Sequence, residues 1–281
     1  MPIFDTPEPI SATIDVVAGQ VRIIAGDRAD TAVDVRPSDP GSAADVRAAE
    51  RIRVEYTDRL VVKATRQWRD HTFRSDVASV EVTIELPAGS RVQGDLALGE
   101  FRCEGRLGDC RFKTAVGDIR VEDAGELRLK TSSGKITVDR AEGHAEIVTG
   151  SGDVRIHELG STAVVKNSNG DTRLGEVAGD LRMRTANGNI SVDRAHASVG
   201  ARTANGDIRI GEVARGSVEL DATTGELEIG IRQGTAAWLD VNSGTGRVET
   251  HLDEAEGPEG AADTVRVRAR SVTGDIIVHR S

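Results

Sequence analysis

The stretch TANGDIRIGEV at residues 203–213 decides the fold, because close variants of it recur along the chain. TANGNISVDRA stands at 185–195 and SNGDTRLGEV at 168–177, and the central glycine returns in steps of 17 to 19 residues. A fixed period of this length indicates repeats that stack on their neighbours. The repeat glycines are Gly99, Gly117, Gly134, Gly152, Gly170, Gly188, Gly206 and Gly225, with less regular members at Gly19, Gly246 and Gly274.

Each repeat contains two strand-like segments. After the glycine, apolar residues alternate with polar ones, as Ile208 and Ile210 do with their neighbours. A second alternating segment lies elsewhere in each repeat, as at Val199 and Ala201. Period 2 within a strand and period 18 between strands together indicate a β-solenoid, in which equivalent residues stack about 4.8 Å apart.

Other repeat folds fit less well. A left-handed hexapeptide helix also has 18 residues per coil, but it needs a small or aliphatic residue at every sixth position, and stepping from Ile190 gives His196 and Arg202. A calcium-binding β-roll needs tandem GGxGxDxUx motifs, and a propeller needs blades of about 40 residues. The sequence shows neither pattern. The sequence therefore predicts an all-β, single-stranded parallel β-solenoid (β-helix) of about ten rungs with roughly 18 residues per rung.

The first third of the chain keeps strand-like alternation but loses the clean period. We therefore expect two regions, a divergent β-rich N-terminal cap at 1–95 and solenoid repeats at 96–281. Within the cap, SAADVRAAE at 42–50 predicts a short helix. An uncapped solenoid end would be an exposed sheet edge, so a divergent terminal segment is expected.

Stacking places equivalent polar residues in columns. An Asn-Gly corner at three of the glycines and a Thr or Asn three residues before six of them are typical of tight turns whose backbone groups are satisfied by side chains. The residue after the glycine forms a carboxylate ladder, which we interpret as mainly structural and charge-balanced by neighbouring arginines. The alternative is a strip that binds a cation or a sugar. The ladder consists of Asp118, Asp153, Asp171, Asp207 and Glu226, interrupted by Lys135 and Asn189.

The non-repeating loop at 65–76 is the expected partner-binding segment. It gathers aromatic and basic side chains, which are the usual anchors of protein interfaces. The alternative is a lid that packs its two aromatic rings onto the first rungs. The candidate residues are Arg66, Trp68, Arg69, His71, Phe73 and Arg74.

Catalytic motifs are not found. The six histidines fall at unrelated repeat positions, and no P-loop, GxSxG or metal-ligand spacing is present, so no enzyme activity, cofactor or metal is expected. A net charge of −10 argues against binding nucleic acid. Cys103 and Cys110 are interpreted as buried small hydrophobic residues, the alternative being a disulfide across a tight turn. With no recognisable signal or apolar span, we expect no membrane insertion and a cytoplasmic protein, the alternative being a surface or secreted one.

The motifs VTIELPAGS, KTAVGDIRV, KNSNGDTRLGEVAGDL, TANGDIRIGEV and GTAAWLDVNSGTG resemble the bacterial β-strand-repeat family of unknown function labelled "putative adhesin", in the form common in GC-rich Gram-positive bacteria. The resemblance covers nearly the whole chain and is most specific over 80–281. It implies a β-solenoid and no established activity. Some members of that family belong to envelope-stress systems and carry membrane segments.

These observations predict a non-catalytic solenoid scaffold or protein-interaction module. The partner is expected to be a protein, and self-complementary rungs would also allow copies of the chain to associate through the solenoid ends. The first alternative is a surface or envelope adhesin. The second is a β-helix that binds or cleaves carbohydrate.

Overall fold

The computed structural model describes residues 1–64, 78–252 and 263–281. These residues form two compact units, Met1–Glu142 and Gly143–Ser281. Strands dominate both units, and most of the strand pairs are parallel, so the predicted all-β class and the predicted β-solenoid are confirmed. The division into a cap at 1–95 and repeats at 96–281 stays a prediction.

The first unit contains eleven strands and one helix among its described residues. The strands are β1 (Ile3–Asp5), β2 (Ser11–Gly26), β3 (Asp30–Pro37), β4 (Ile52–Tyr56), β5 (Leu60–Ala64), β6 (Val80–Pro87), β7 (Arg91–Arg106), β8 (Cys110–Val116), β9 (Ile119–Ala124), β10 (Leu127–Ser133) and β11 (Ile136–Ala141), and helix α1 (Ala43–Glu50) follows β3.

Strand β2 belongs to the stack although it lies far from the repeats in sequence. It pairs in parallel with β7 so that Gly19 lies opposite Gly99, and it pairs with β6 so that Gly19 also lies opposite Val80. The irregular Gly19 motif therefore occupies the repeat glycine position. The cap strands differ in direction, because β3 pairs antiparallel with β1 and β6, and β4 pairs antiparallel with β5.

Helix α1 lies within the stretch for which the sequence predicts a short helix. The Ser42 side chain accepts a hydrogen bond from the backbone N–H of Asp45, which satisfies a donor that the first turn leaves free. The Asp45 carboxylate in turn accepts bonds from the N–H groups of Asp39 and Ser79, at 3.1 Å each. Asp45 thus fixes the helix to the two flanking loops.

The second unit repeats a two-strand rung. The strands are β12 (Ala145–Ser151), β13 (Val154–Leu159), β14 (Ala163–Asn169), β15 (Thr172–Val177), β16 (Leu181–Asn187), β17 (Ile190–Ala195), β18 (Val199–Asn205), β19 (Ile208–Val213), β20 (Gly216–Thr224), β21 (Leu227–Ile231), β22 (Thr235–Thr245), β23 (Val248–His251), β24 (Asp263–Thr273) and β25 (Ile276–Arg280). Within this unit, equivalent strands of adjacent rungs pair in parallel.

The core consists of aliphatic columns. Ile190, Ile208, Leu227 and Ile276 follow one another in register, and none is more than 1% exposed. This burial of branched side chains on successive rungs supplies the main stabilising contribution. The scarcity of aromatic residues does not weaken the core, because each column needs only residues of similar size.

The corner residues are held by side-chain hydrogen bonds, as the Thr and Asn column predicts. The Thr203 hydroxyl donates to the Gly188 carbonyl of the preceding rung at 3.4 Å. Asn167 donates to the carbonyls of Gly152 and Gly170 at 3.0 and 2.9 Å. These buried polar side chains satisfy backbone carbonyls that would otherwise lack partners.

The last rungs of the second unit do not follow chain order. Strand β24 lies between β20 and β22, and β25 lies between β21 and β23. The inward residues of β25 are Ile276 and Val278, whereas β23 offers Val248 and Thr250 at the same positions. A rung that lies between two other rungs is covered on both sides. The more apolar rung, formed by β24 and β25, occupies that position.

Candidate interaction surface

The two groups of residues that the sequence singles out have different outcomes. The loop candidates Arg66, Trp68, Arg69, His71, Phe73 and Arg74 lie outside the described residues, so their role stays a prediction. The carboxylate ladder is described, with Asp118 in the first unit and the other four members in the second.

The ladder carboxylates accept hydrogen bonds from the backbone of the next rung. Each bond runs from the N–H of the residue after the next repeat glycine to a carboxylate Oδ1, so the side chain supports the corner that follows it. The N–O distances are 2.7 Å for Lys135 to Asp118, 3.2 Å for Asp171 to Asp153, 3.0 Å for Asn189 to Asp171 and 2.9 Å for Glu226 to Asp207.

Arginines two residues further along neutralise part of this column. Arg155 lies 3.5 Å from the Asp153 carboxylate and Arg173 lies 3.4 Å from that of Asp171. These pairs are exposed and contribute at most about 1 kcal/mol each. Over the described ranges, no group of three or more His, Cys, Asp or Glu residues has a geometry that could hold a metal ion. The ladder therefore supports the corners and leaves few oxygens for a ligand.

The outermost rung of the second unit has a different character. We call Thr235–His251, which contains β22 and β23, the terminal rung. In the described part of the chain β22 pairs only with β24 and β23 only with β25, so no described strand occupies the other edge of either strand. An exposed strand edge of this kind is a template for pairing with another strand.

The terminal rung also exposes side chains at positions that face the core in the other rungs. Ala237, Leu239 and Val241 are in register with buried residues of β24, yet all three are partly exposed. Val248 is 44% exposed, whereas Ile276 at the same position one rung inward is completely buried. The rung has the apolar interior of a covered repeat, whereas a terminal repeat needs a polar outer face for solubility.

Trp238 lies on the outward face of the same rung. Its side chain is 70% exposed, the largest exposed fraction of any large apolar residue described. Beside it is an open depression of about 680 Å³ with basic side chains from Arg215 and Arg266 and an acidic one from Asp263. An exposed Trp beside Arg is the composition that dominates binding energy in protein interfaces.

Sequence patterns alone do not identify this surface. Trp238 occupies an outward position of an alternating strand and is one of only two tryptophans. This rarity is the one sequence signal that points to the surface. The exposed inward positions carry no such signal, since Leu239 and Val241 have the same pattern as residues buried in other rungs. Their exposure follows from the order of the last two rungs.

The described residues contain no helix with the length and apolar character needed to cross a bilayer. The only helix among them, α1, has eight residues and a mixed polar and apolar composition.

Comparison with known proteins gives a family match over nearly the whole chain. The family model described as Toastrack DUF4097 matches residues 11–279. No curated protein is significantly similar to the chain in sequence.

Three solved structures are similar over most of their length, and each is described as a "putative adhesin". The one from Bacteroides fragilis is 12% identical, with 98% of this chain and 95% of that chain covered and a TM-score of 0.33. The one from Parabacteroides distasonis is 12% identical, with 99% and 95% covered and a TM-score of 0.28. The one from Parabacteroides merdae is 11% identical, with 99% and 94% covered and a TM-score of 0.27.

Proposed function

The chain belongs to the Toastrack DUF4097 family, and on that premise we propose that it is a non-catalytic interaction module that binds an extended segment of a partner protein on its terminal rung. The observation that carries this proposal is the exposure of Leu239, Val241 and Val248 at positions where other rungs bury their core. A strand added at β22 and β23 would cover these side chains and pair with the backbone groups of that edge.

The site offers both parts of a strand-addition interface. Backbone hydrogen bonds along the edge supply affinity without specificity, because every residue of a partner strand can form them. Trp238 and the depression beside it would supply specificity for the side chains of the partner segment. We place the protein in the cytoplasm, a location supported by the two free cysteines, since unpaired thiols are usual in a reducing compartment.

A photo-crosslinking experiment in the native host tests the proposed surface. p-Benzoylphenylalanine is introduced at position 238, or at Arg173 on the charge-balanced face as the control site, and illumination of intact cells is followed by mass spectrometry. We expect a discrete adduct from position 238 that Val248→Glu abolishes, and none from position 173. Peptides in the adduct identify the partner as another protein or as a second copy of this chain.

Two outcomes would overturn the proposal. One is equal crosslinking from positions 238 and 173, and the other is an adduct at 238 that persists in the Val248→Glu variant. The surface-adhesin alternative is separated by fractionation, because recovery of the chain from the cell wall or the medium of intact cells contradicts a cytoplasmic module. Selective binding on a glycan array that Trp238→Ala abolishes would replace the protein partner by a carbohydrate.

A further inference from the structure

A second charged surface lies in the first unit, on the outward face of β5, β2, β7, β8 and β10. These strands stack in parallel in that order, so their outward side chains form columns. We call six cations of these strands and of the turns leading into them the basic face; Lys63 of β5, which pairs with Asp15 of β2 at 3.8 Å, is not one of them. They are Arg59, Arg91, Arg111, Lys113, Arg128 and Lys130.

The basic face places like charges directly opposite each other. Arg111 lies opposite Arg128, and Lys113 lies opposite Lys130, in the register between β8 and β10. Adjacent strands are about 4.8 Å apart, and like charges facing each other across them are destabilising.

Carboxylates lie beside some of these cations, with Asp95 opposite Lys113 in the register between β7 and β8 and Asp58 next to Arg59 in sequence. Arg128 is paired, with its guanidinium 2.9 Å from the Glu126 carboxylate. The Asp109 carboxylate is occupied in part by the backbone N–H of Glu126, at 3.1 Å. Within the described residues the other five cations of the basic face take part in no salt bridge, although the chain as a whole carries a net charge of −10.

Four of the arginines border an open depression of about 470 Å³. Arg59 lies on one side and Arg91, Arg111 and Arg128 lie on the other, because Ser11 and Thr13 of β2 are too short to fill the space between them. The hydroxyl groups of that serine and threonine add neutral donors to the guanidinium forks. Such forks bind carboxylates and phosphates in a bidentate manner.

We propose that this depression binds a carboxylate-bearing segment of a partner polypeptide, rich in Asp or Glu. The charge complementarity supplies the attraction, and a bound carboxylate would relieve the repulsion between the stacked cations. None of the described residues that line the depression is aromatic, so it offers no stacking platform for nucleic-acid bases or sugar rings. An acidic peptide needs no such platform.

Fluorescence anisotropy with a labelled peptide of ten glutamates tests this site in the full-length protein. We expect binding in 20 mM salt that weakens as salt rises to 500 mM, since exposed charges are then screened. The double variant Arg91→Gln/Arg111→Gln should bind at least tenfold more weakly. The matched control Arg173→Gln/Arg209→Gln removes two arginines paired with carboxylates and should change the Kd by less than twofold.

The proposal is overturned if the glutamate peptide does not bind, if a peptide of ten glutamines binds equally well, or if both double variants lose the same affinity. Binding of inorganic polyphosphate or single-stranded DNA without binding of the glutamate peptide would assign the site to phosphate instead. Trp238→Ala should leave glutamate binding unchanged, so this test is independent of the terminal rung.

Discussion

Replacement of Gly206 by alanine should strongly destabilise the stack, whereas the same change at Gly200 in the same rung should not. Gly206 has φ +143°, in a region that residues with a side chain rarely adopt, and a Cβ there would lie 2.2 Å from the carbonyl oxygen of Gly188. Gly200 has no positive φ, and the atom nearest to its added Cβ, the Leu181 carbonyl oxygen, is 4.0 Å away.

The magnitude follows from strain and lost hydrogen bonds. A non-glycine residue held in a sparsely populated backbone region costs about 1–3 kcal/mol. Relief of the contact must also displace the corner, where Gly206 and Asp207 donate to Thr224 and Asn189 at 2.9 Å each. At about 1 kcal/mol per bond, Gly206→Ala should lower the free energy of unfolding by about 3–5 kcal/mol. Gly200→Ala should raise it by about 0.4–1 kcal/mol, because alanine has fewer unfolded conformations.

Urea denaturation followed by far-UV circular dichroism measures both variants. With an m value of about 3 kcal/mol/M, the midpoint for Gly206→Ala should fall by roughly 1–1.7 M, and that for Gly200→Ala should stay or rise slightly. Hydrogen exchange of peptides covering 199–213 gives a local readout if the repeats unfold separately. Equal midpoints for the two variants would refute the assignment of the repeated glycine to a sterically closed corner.

Other predictions concern single side chains. Thr172→Val should raise the free energy of unfolding by about 1 kcal/mol in thermal denaturation, because the buried Thr172 hydroxyl has no hydrogen-bond partner among the described residues; a loss would contradict this. Burial raises the pKa of Cys110 to about 12 and that of the buried Cys103 thiol as well, so neither should react with iodoacetamide at pH 8 until urea unfolds the chain. The hydrogen bond from Arg22 lowers the pKa of Glu104, whose ordinary value is 4.5. The hydrogen bond therefore stabilises the folded chain above about pH 4.5, and this contribution is lost as the pH falls through the lower folded pKa. Glu104→Gln should therefore destabilise at pH 7, and the difference from the parent should shrink as the pH is lowered.

The repeat architecture could be predicted because each of its signals is local. The period of 17 to 19 residues, the alternation around Ile208 and Ile210, and the Thr203 hydroxyl before the corner all lie within one rung. The structure confirms each of them, since those two isoleucines are buried and Thr203 bonds to a glycine carbonyl. A repeat is predictable when every unit makes the same contacts with its neighbours.

The candidate surfaces could not be predicted in the same way, because they depend on which segments become neighbours. Residues 27–90 separate β2 from β7 in the sequence. The pairing of these two strands brings Ser11 beside Arg91, which creates the depression of the basic face. The repeat glycines Gly19 and Gly99 mark both strands as rungs, but which rungs become neighbours is set by long-range contacts.

The order of the final rungs links the fold to the proposed function. Stacking in chain order would have left β25 outermost, with Ile276 and Val278 exposed in place of Val248 and Thr250. Burying the more apolar pair in the interior stabilises the unit, but the outermost strand β22 still carries Leu239 and Val241 at inward positions. The exchange therefore reduces the exposed apolar surface without removing it, and the remaining surface lies along a strand edge that no described strand occupies.

A rung that only capped the stack would gain stability from polar residues at the positions of Leu239 and Val241. The strand addition that we propose would account for their apolar character, and it predicts that Leu239→Thr/Val241→Thr keeps the fold while abolishing the crosslink from position 238.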